Sequence, residues 1–186
     1  MKTLEERYKE ACEHGSDINL HLPTLKEYAD KCESVTELGV RMGLSTIAFL
    51  SSKCRKLTSY DINPCPVVHD LAVLALPHND FLFYQLDTSK PFSMEETDML
   101  FVDTLHTYEQ VKAELASAEG KVRKYIAFHD TELFGHRDEA KPPEKGLYGA
   151  GPGILPAIKE FMEKFPAWKI VHHTHANNGL TIISRV

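Results

Sequence analysis

The chain has 186 residues, 42% of them apolar, and carries 21 Lys and Arg against 27 Asp and Glu, for a net charge of −6. That length suits one domain, 1–186, with a sizeable core and no linker or low-complexity run to divide it. The acidic balance and the lack of a basic stretch speak against nucleic acid. A charged, helix-like start and no apolar run of spanning length speak against a membrane. A soluble cytoplasmic protein is expected, with self-association left open. Cys12, Cys32, Cys54 and Cys65 form no C-x-x-C pair, so they read as reduced thiols rather than a zinc or redox motif.

In chain order, the pattern predicts helices over about 3 to 14 and 25 to 32, which form an N-terminal helical cap over 1–33. Thr3 with Glu6, and Thr24 with Glu27 after Pro23, each fit a capping box. Strand and helix signals then alternate: strand 34 to 38, helix 44 to 53, strand 56 to 60, helix 66 to 75, strands 80 to 85 and 98 to 102. Helix 108 to 119, strand 124 to 129, helix 153 to 164 and strands 168 to 174 and 179 to 185 complete the chain. Such alternation predicts a mostly parallel sheet with helices on both faces. Asn177-Asn178-Gly179 links the last two strands too tightly for a helical crossover, so the seventh strand runs antiparallel as a hairpin.

The first strand feeds Glu37-Leu38-Gly39-Val40-Arg41-Met42-Gly43-Leu44-Ser45, and Asp61 closes the second strand 22 residues after Gly39. Glycines at such a turn let backbone approach a ligand, and Asp61 is placed to accept bonds from ribose hydroxyls. Arg41 stands where a dinucleotide fingerprint needs its second glycine, and no G-K-[ST] triplet supports a P-loop. An acidic residue at Glu37 suits a ligand with an ammonium group. Glu37-x-Gly39-x-x-x-Gly43 followed by Asp61 resembles the first two motifs of class I S-adenosylmethionine-dependent methyltransferases. The resemblance implies a Rossmann-like seven-stranded sheet and cofactor contacts from Glu37, Gly39, Gly43, Ser45, Asp61 and, at the third strand's end, Asp87.

Asp98-Met99-Leu100-Phe101-Val102-Asp103-Thr104-Leu105-His106 and Phe128-His129-Asp130-Thr131 carry a second resemblance, to the strand-end segments of the small-molecule O-methyltransferase branch. It implies that Asp103 and His106 are catalytic, with His106 as general base. It further implies that Asp103, His129 and Asp130 are candidate ligands of Mg²⁺ or another divalent cation. Thr104-Leu105 replaces a commoner Gly-Asp, and His129 supplies nitrogen where a hard cation prefers oxygen, so metal use stays open.

The implied activity is methyl transfer to an oxygen of a small-molecule or saccharide-like acceptor. A metal-assisted hydroxylase or hydrolase on the same scaffold, or a non-catalytic cofactor-binding protein, are the alternatives. The Gly- and Pro-rich stretch 131–151 lies beyond a strand's carboxyl end and reads as a lid over the site, a disordered insertion being the alternative. Tyr28, Tyr108, Phe134 and Tyr148 are candidates to line an acceptor pocket. Strand alternation turns His173 and His175 to one face, away from His172, where they read as surface histidines rather than a metal site.

Overall fold

The computed structural model describes residues 2–75, 79–141 and 143–186. Helices α1 (Leu4–Glu13) and α2 (Leu22–Ala29) come first. The α1 capping box forms as expected: Thr3 Oγ1 accepts from Glu6 N at 3.2 Å, and the Glu6 carboxylate accepts from Thr3 N at 2.7 Å. The second box does not form. Pro23 fits the first turn, where a missing N–H costs nothing, so α2 begins at Leu22 and leaves Thr24 inside the helix.

Then follow β1 (Ser34–Leu38), α3 (Leu44–Leu50), β2 (Lys56–Asp61), α4 (Val67–Ala75), β3 (Asp80–Gln85) and β4 (Thr97–Val102). The chain continues through α5 (Tyr108–Ala118), β5 (Val122–His129), α6 (Ile154–Lys164), β6 (Trp168–Thr174) and β7 (Leu180–Arg185). One sheet has the order β3-β2-β1-β4-β5-β7-β6, and only β7 runs against its neighbours. The β6–β7 link is short, with Asn177, Asn178 and Gly179 all at left-handed φ, which turns the chain straight back.

Every residue of β4 is buried, as a central parallel strand covered on both faces requires. Period-2 alternation divides it. Met99 and Phe101 join Leu25, Phe49 and Leu71 under the α1–α4 side, while Leu100 and Val102 join Val111, Leu115 and Ile158 under α5 and α6. The strand order reverses between β1 and β4, which leaves a crevice at their carboxyl ends. Among the described residues, no helix is long and apolar enough to cross a membrane. All four cysteines are free.

Candidate active site

The crevice is built on Gly39 and Gly43. Gly39 has φ +91°, and a Cβ there would lie 1.9 Å from the Asp103 carbonyl oxygen. Its glycine is therefore demanded first by the packing of the turn against the end of β4, before any ligand is considered. Gly43 has φ +75° and precedes α3, with Leu71 and Val67 pressed against it.

Asp61 pins this turn. Its Oδ2 accepts from Val40 N at 2.8 Å and Arg41 N at 3.0 Å, and its Oδ1 accepts from Asn63 N at 2.8 Å. Burial would raise its pKa, but these N–H groups together hold it below the ordinary value. A carboxylate offers about four acceptor sites. Three are in use, so Asp61 has room for one ribose hydroxyl, and the expectation of two needs an internal bond to yield.

Glu37 departs further from expectation. It is fully buried behind the turn, where Ser45 Oγ (2.6 Å), Thr46 Oγ1 (2.8 Å) and Ser59 Oγ (2.6 Å) donate to it. No direct path to a ligand ammonium is open to a side chain held in this way. Burial outweighs the three hydroxyls and pushes its pKa up to about 7. Because the folded value lies above the unfolded one, the folded state holds this proton longer. Stability from this group is therefore lost as pH rises from about 4.5 to about 7, by something on the order of 3 kcal/mol. Glu37→Gln keeps the hydroxyl partners without the charge, so its urea-derived stability should decline less than that of the unaltered protein between pH 5 and pH 8. Parallel stability curves for the two proteins would show that the carboxyl ionises freely.

Asp103, His106, His129 and Asp130 converge at the ends of β4 and β5. Their polar atoms alternate around a ring: His106 Nε2 lies 3.2 Å from Asp103 Oδ1 and 2.9 Å from Asp130 Oδ2. His129 Nδ1 closes it at 3.1 Å from each of the same oxygens. The other nitrogen of each imidazole is also engaged. His129 Nε2 donates to the carbonyls of Asp17 (3.1 Å) and Asn177 (3.2 Å), and His106 Nδ1 meets Glu139 Oε2 at 2.9 Å. Phe134 stacks on the His106 ring, 5.1 Å between centroids and 7° from parallel.

The electrostatics follow from this geometry. Burial opposes charge on every member, yet bonds to His106 and His129 hold Asp103 and Asp130 well below the usual carboxylate range. Asp103 and Asp130 in turn raise His129 to about 10, and with Glu139 they hold His106 well above its ordinary value. The carboxylates around His106 therefore favour its protonated form, which counts against its acting as a ready base until they are neutralised. Three carboxylates keep its proton in place. Asp130 also has the left-handed φ of +58°, and its Oδ1 is buried with no hydrogen-bond partner.

Two cavities meet at Gly39 and Asp103. A cleft of about 810 Å³ runs past Asp61, Ile62, Asp87 and Leu105, a volume suited to a nucleoside-sized ligand. A smaller one of about 310 Å³ is bounded by Asp17, Arg41, Ser45, His106 and Glu139. Asp87 faces the larger cleft, with one carboxylate oxygen taking the Ser89 N–H and hydroxyl and the other paired with Lys90. Of the four aromatic candidates, Phe134 and Tyr148 come near the site, Tyr148 edge-on to Phe134. Tyr28 packs on Tyr125, and the Tyr108 hydroxyl goes to Glu160.

Several participants had no sequence signal. Stretch 131–151, of which Pro142 lies outside the described residues, delivers Glu139 to His106, while Asp138 receives the N–H groups of Tyr108 and Gly153 at 2.9 Å each. Arg41, at φ +48°, pairs with Asp17 at 2.9 Å across the mouth of the small cavity. Thr107 caps α5, accepting from Gln110 N. The Gln110 side chain instead turns inward to Thr88 and Glu114. Glu114 sits buried beneath the larger cleft, bonded also by Thr88 and Thr104, and burial pushes its pKa up to about 7.

No family model matches the chain, and no curated protein matches it. Solved structures do. The N-methyltransferase NodS from Bradyrhizobium japonicum WM9, in complex with S-adenosylhomocysteine, is 12% identical over 99% of each chain, with a TM-score of 0.62. Magnesium protoporphyrin IX methyltransferase (ChlM) from Synechocystis PCC 6803 is 13% identical over 98% of this chain and 94% of its own, with a TM-score of 0.61. The 1,6-didemethyltoxoflavin-N1-methyltransferase from Burkholderia thailandensis is 14% identical over 96% and 82%, also with a TM-score of 0.61. Strand order, the antiparallel last strand and these likenesses agree: the chain has the fold of the class I S-adenosylmethionine-dependent methyltransferases.

Proposed function

We propose that the protein transfers the sulfonium methyl group of S-adenosylmethionine to an oxygen of a small-molecule or saccharide-like acceptor. The observation that carries this reading is the meeting of the two cavities at Asp103. A nucleoside along Asp61 and Asp87 would present its sulfonium beside Gly39, and an acceptor in the smaller cavity would lie against His106. The methyl group is already labile on sulfur, so the protein's task is to align three atoms and manage one proton. His106 is the residue placed to handle that proton, once the charge of Asp103 and Asp130 is neutralised.

The ring fits a divalent cation. Its neighbouring donors are 2.9 to 3.2 Å apart, the spacing of adjacent ligands around one ion, and Asp130 Oδ1 has no other partner. The carbonyls on His129 Nε2 leave Nδ1 facing the ring, the outer-shell arrangement usual for a ligating imidazole. The His129 nitrogen beside the two carboxylates favours Mn²⁺, Fe²⁺ or Zn²⁺ over Mg²⁺, which prefers oxygen. A cation held by Asp103, His129 and Asp130 would lower the pKa of an acceptor hydroxyl.

Calorimetry with S-adenosylhomocysteine tests the cofactor half. Binding is expected, and Asp61→Ala should weaken it about tenfold or more, since an unpaired buried hydroxyl costs about 1 to 3 kcal/mol. Absence of binding to the unaltered protein would overturn the reading. Methyl transfer to hydroxylated acceptors should cease in chelator and return with Mn²⁺. Full activity in chelator would leave Asp103 and Asp130 as orienting groups. The same two-histidine, two-carboxylate donor set also suits redox iron. Turnover without S-adenosylmethionine would favour a hydroxylase or hydrolase, and cofactor binding without transfer would favour a non-catalytic protein.

A further inference from the structure

His173 and His175 share one face of the sheet edge, as alternation requires, and both are exposed. Glu132, from the start of stretch 131–151, reaches between them: its Oε1 lies 3.2 Å from His173 Nε2 and its Oε2 lies 2.9 Å from His175 Nδ1. The two imidazoles stand edge to face with centroids 4.8 Å apart. We propose that Glu132, His173 and His175 form a second metal site, separate from the ring at the strand ends, that takes a first-row transition ion such as Zn²⁺.

The three donors are held on ordered supports. His173 Nδ1 bonds Thr181 Oγ1 at 2.9 Å, and that hydroxyl bonds Thr131 Oγ1 at 3.0 Å, with both threonines buried. This is the outer-shell support that fixes which nitrogen of an imidazole faces an ion. Glu132 is held through its backbone, its N–H donating to Asn178 O at 2.8 Å, and Gly179 packs against its side chain. Each residue offers one donor atom, and the three lie within 4.8 Å of one another.

Two imidazoles and one carboxylate suit Zn²⁺, Co²⁺ or Ni²⁺ rather than Mg²⁺ or Ca²⁺. The site faces solvent, His175 most of all, so water can complete the shell. Without an ion, the same residues form only exposed ion pairs, which contribute little and give no reason for two imidazoles to converge. An ion here ties the start of stretch 131–151 to the β6–β7 hairpin, two residues before Phe134 reaches His106.

The test uses untagged, chelator-stripped protein titrated with Zn²⁺, followed by calorimetry and by the imidazole NMR signals of individual histidines. The signals of His173 and His175 should shift together and saturate at one equivalent for this site, whatever the signals of His106 and His129 do. Loss of an outer-shell partner alone costs about 10- to 100-fold in metal affinity, so His175→Ala and Glu132→Gln should each weaken this event at least tenfold. Both substitutions are at exposed positions and should leave the fold intact by circular dichroism. Signals of His173 and His175 that stay unmoved by Zn²⁺, or an affinity at this site unchanged in either variant, would overturn the proposal.

Discussion

Replacing His106 by alanine is expected to lower methyl transfer by about 10² to 10⁴, the usual worth of a positioned proton-handling histidine. Affinity for S-adenosylhomocysteine should stay nearly intact, because His106 does not line the larger cleft, although Asp103 of the same ring does. The variant also leaves Asp103, Asp130 and Glu139 facing one another without their shared cation. Breaking such a buried pairing costs about 3 to 5 kcal/mol, so stability must be measured beside activity. His106→Gln separates the two effects, since it retains a hydrogen-bond donor but cannot hold or release the proton. Near-normal turnover in a folded His106→Gln protein would make the residue structural and pass deprotonation to another group or to water.

Gly39→Ala should be the most damaging small change in the chain. The new methyl group would lie 1.9 Å from the Asp103 carbonyl oxygen and 2.7 Å from its carbon. Backbone cannot swing aside as a flexible side chain can. A left-handed residue with a Cβ costs about 1 to 2 kcal/mol, and forced overpacking typically costs a further 1 to 3. A loss of about 2 to 5 kcal/mol is therefore expected in urea unfolding, a large share of an ordinary domain's stability. Because the displaced group is Asp103, cofactor binding and the polar ring should fail together in whatever protein remains folded. An alanine variant with unchanged midpoint and unchanged cofactor affinity would show that β4 can retreat from the turn.

The sheet was legible because its signals are local and periodic. Met99 to Val102 and Ile126 to Phe128 are short apolar runs, and Asn177-Asn178-Gly179 announces the one reversal. Asp103, His106, His129 and Asp130 were legible as a group because all lie at or just after strand ends, which parallel topology gathers on one edge. Glu37 reads alike in either role, because a carboxylate aimed at a ligand and one buried among hydroxyls leave the same trace at a strand end. Its partners Ser45, Thr46 and Ser59 were visible, but nothing local says that all three turn inward. Glu139, Asp17 and Glu132 lie in aperiodic segments. Their positions come from loop closure against distant residues, which no spacing rule reports.

Asn177 links regions of the chain that are far apart in sequence. Its side chain accepts from Leu20 N at 2.9 Å and donates to Ser16 O at 2.8 Å, and its carbonyl meets both His21 and His129. The contacts to Ser16, Leu20 and His21 span more than 150 positions, so the closure entropy of nearly the whole polypeptide must be met before they form. Non-local contacts of this kind slow folding. The central strands can pair earlier, but His129 gains its second carbonyl only when the hairpin turn docks on the 16–21 segment. The carboxyl edge of the sheet should accordingly be the last part to mature during refolding, with native secondary structure regained before a binding-competent pocket.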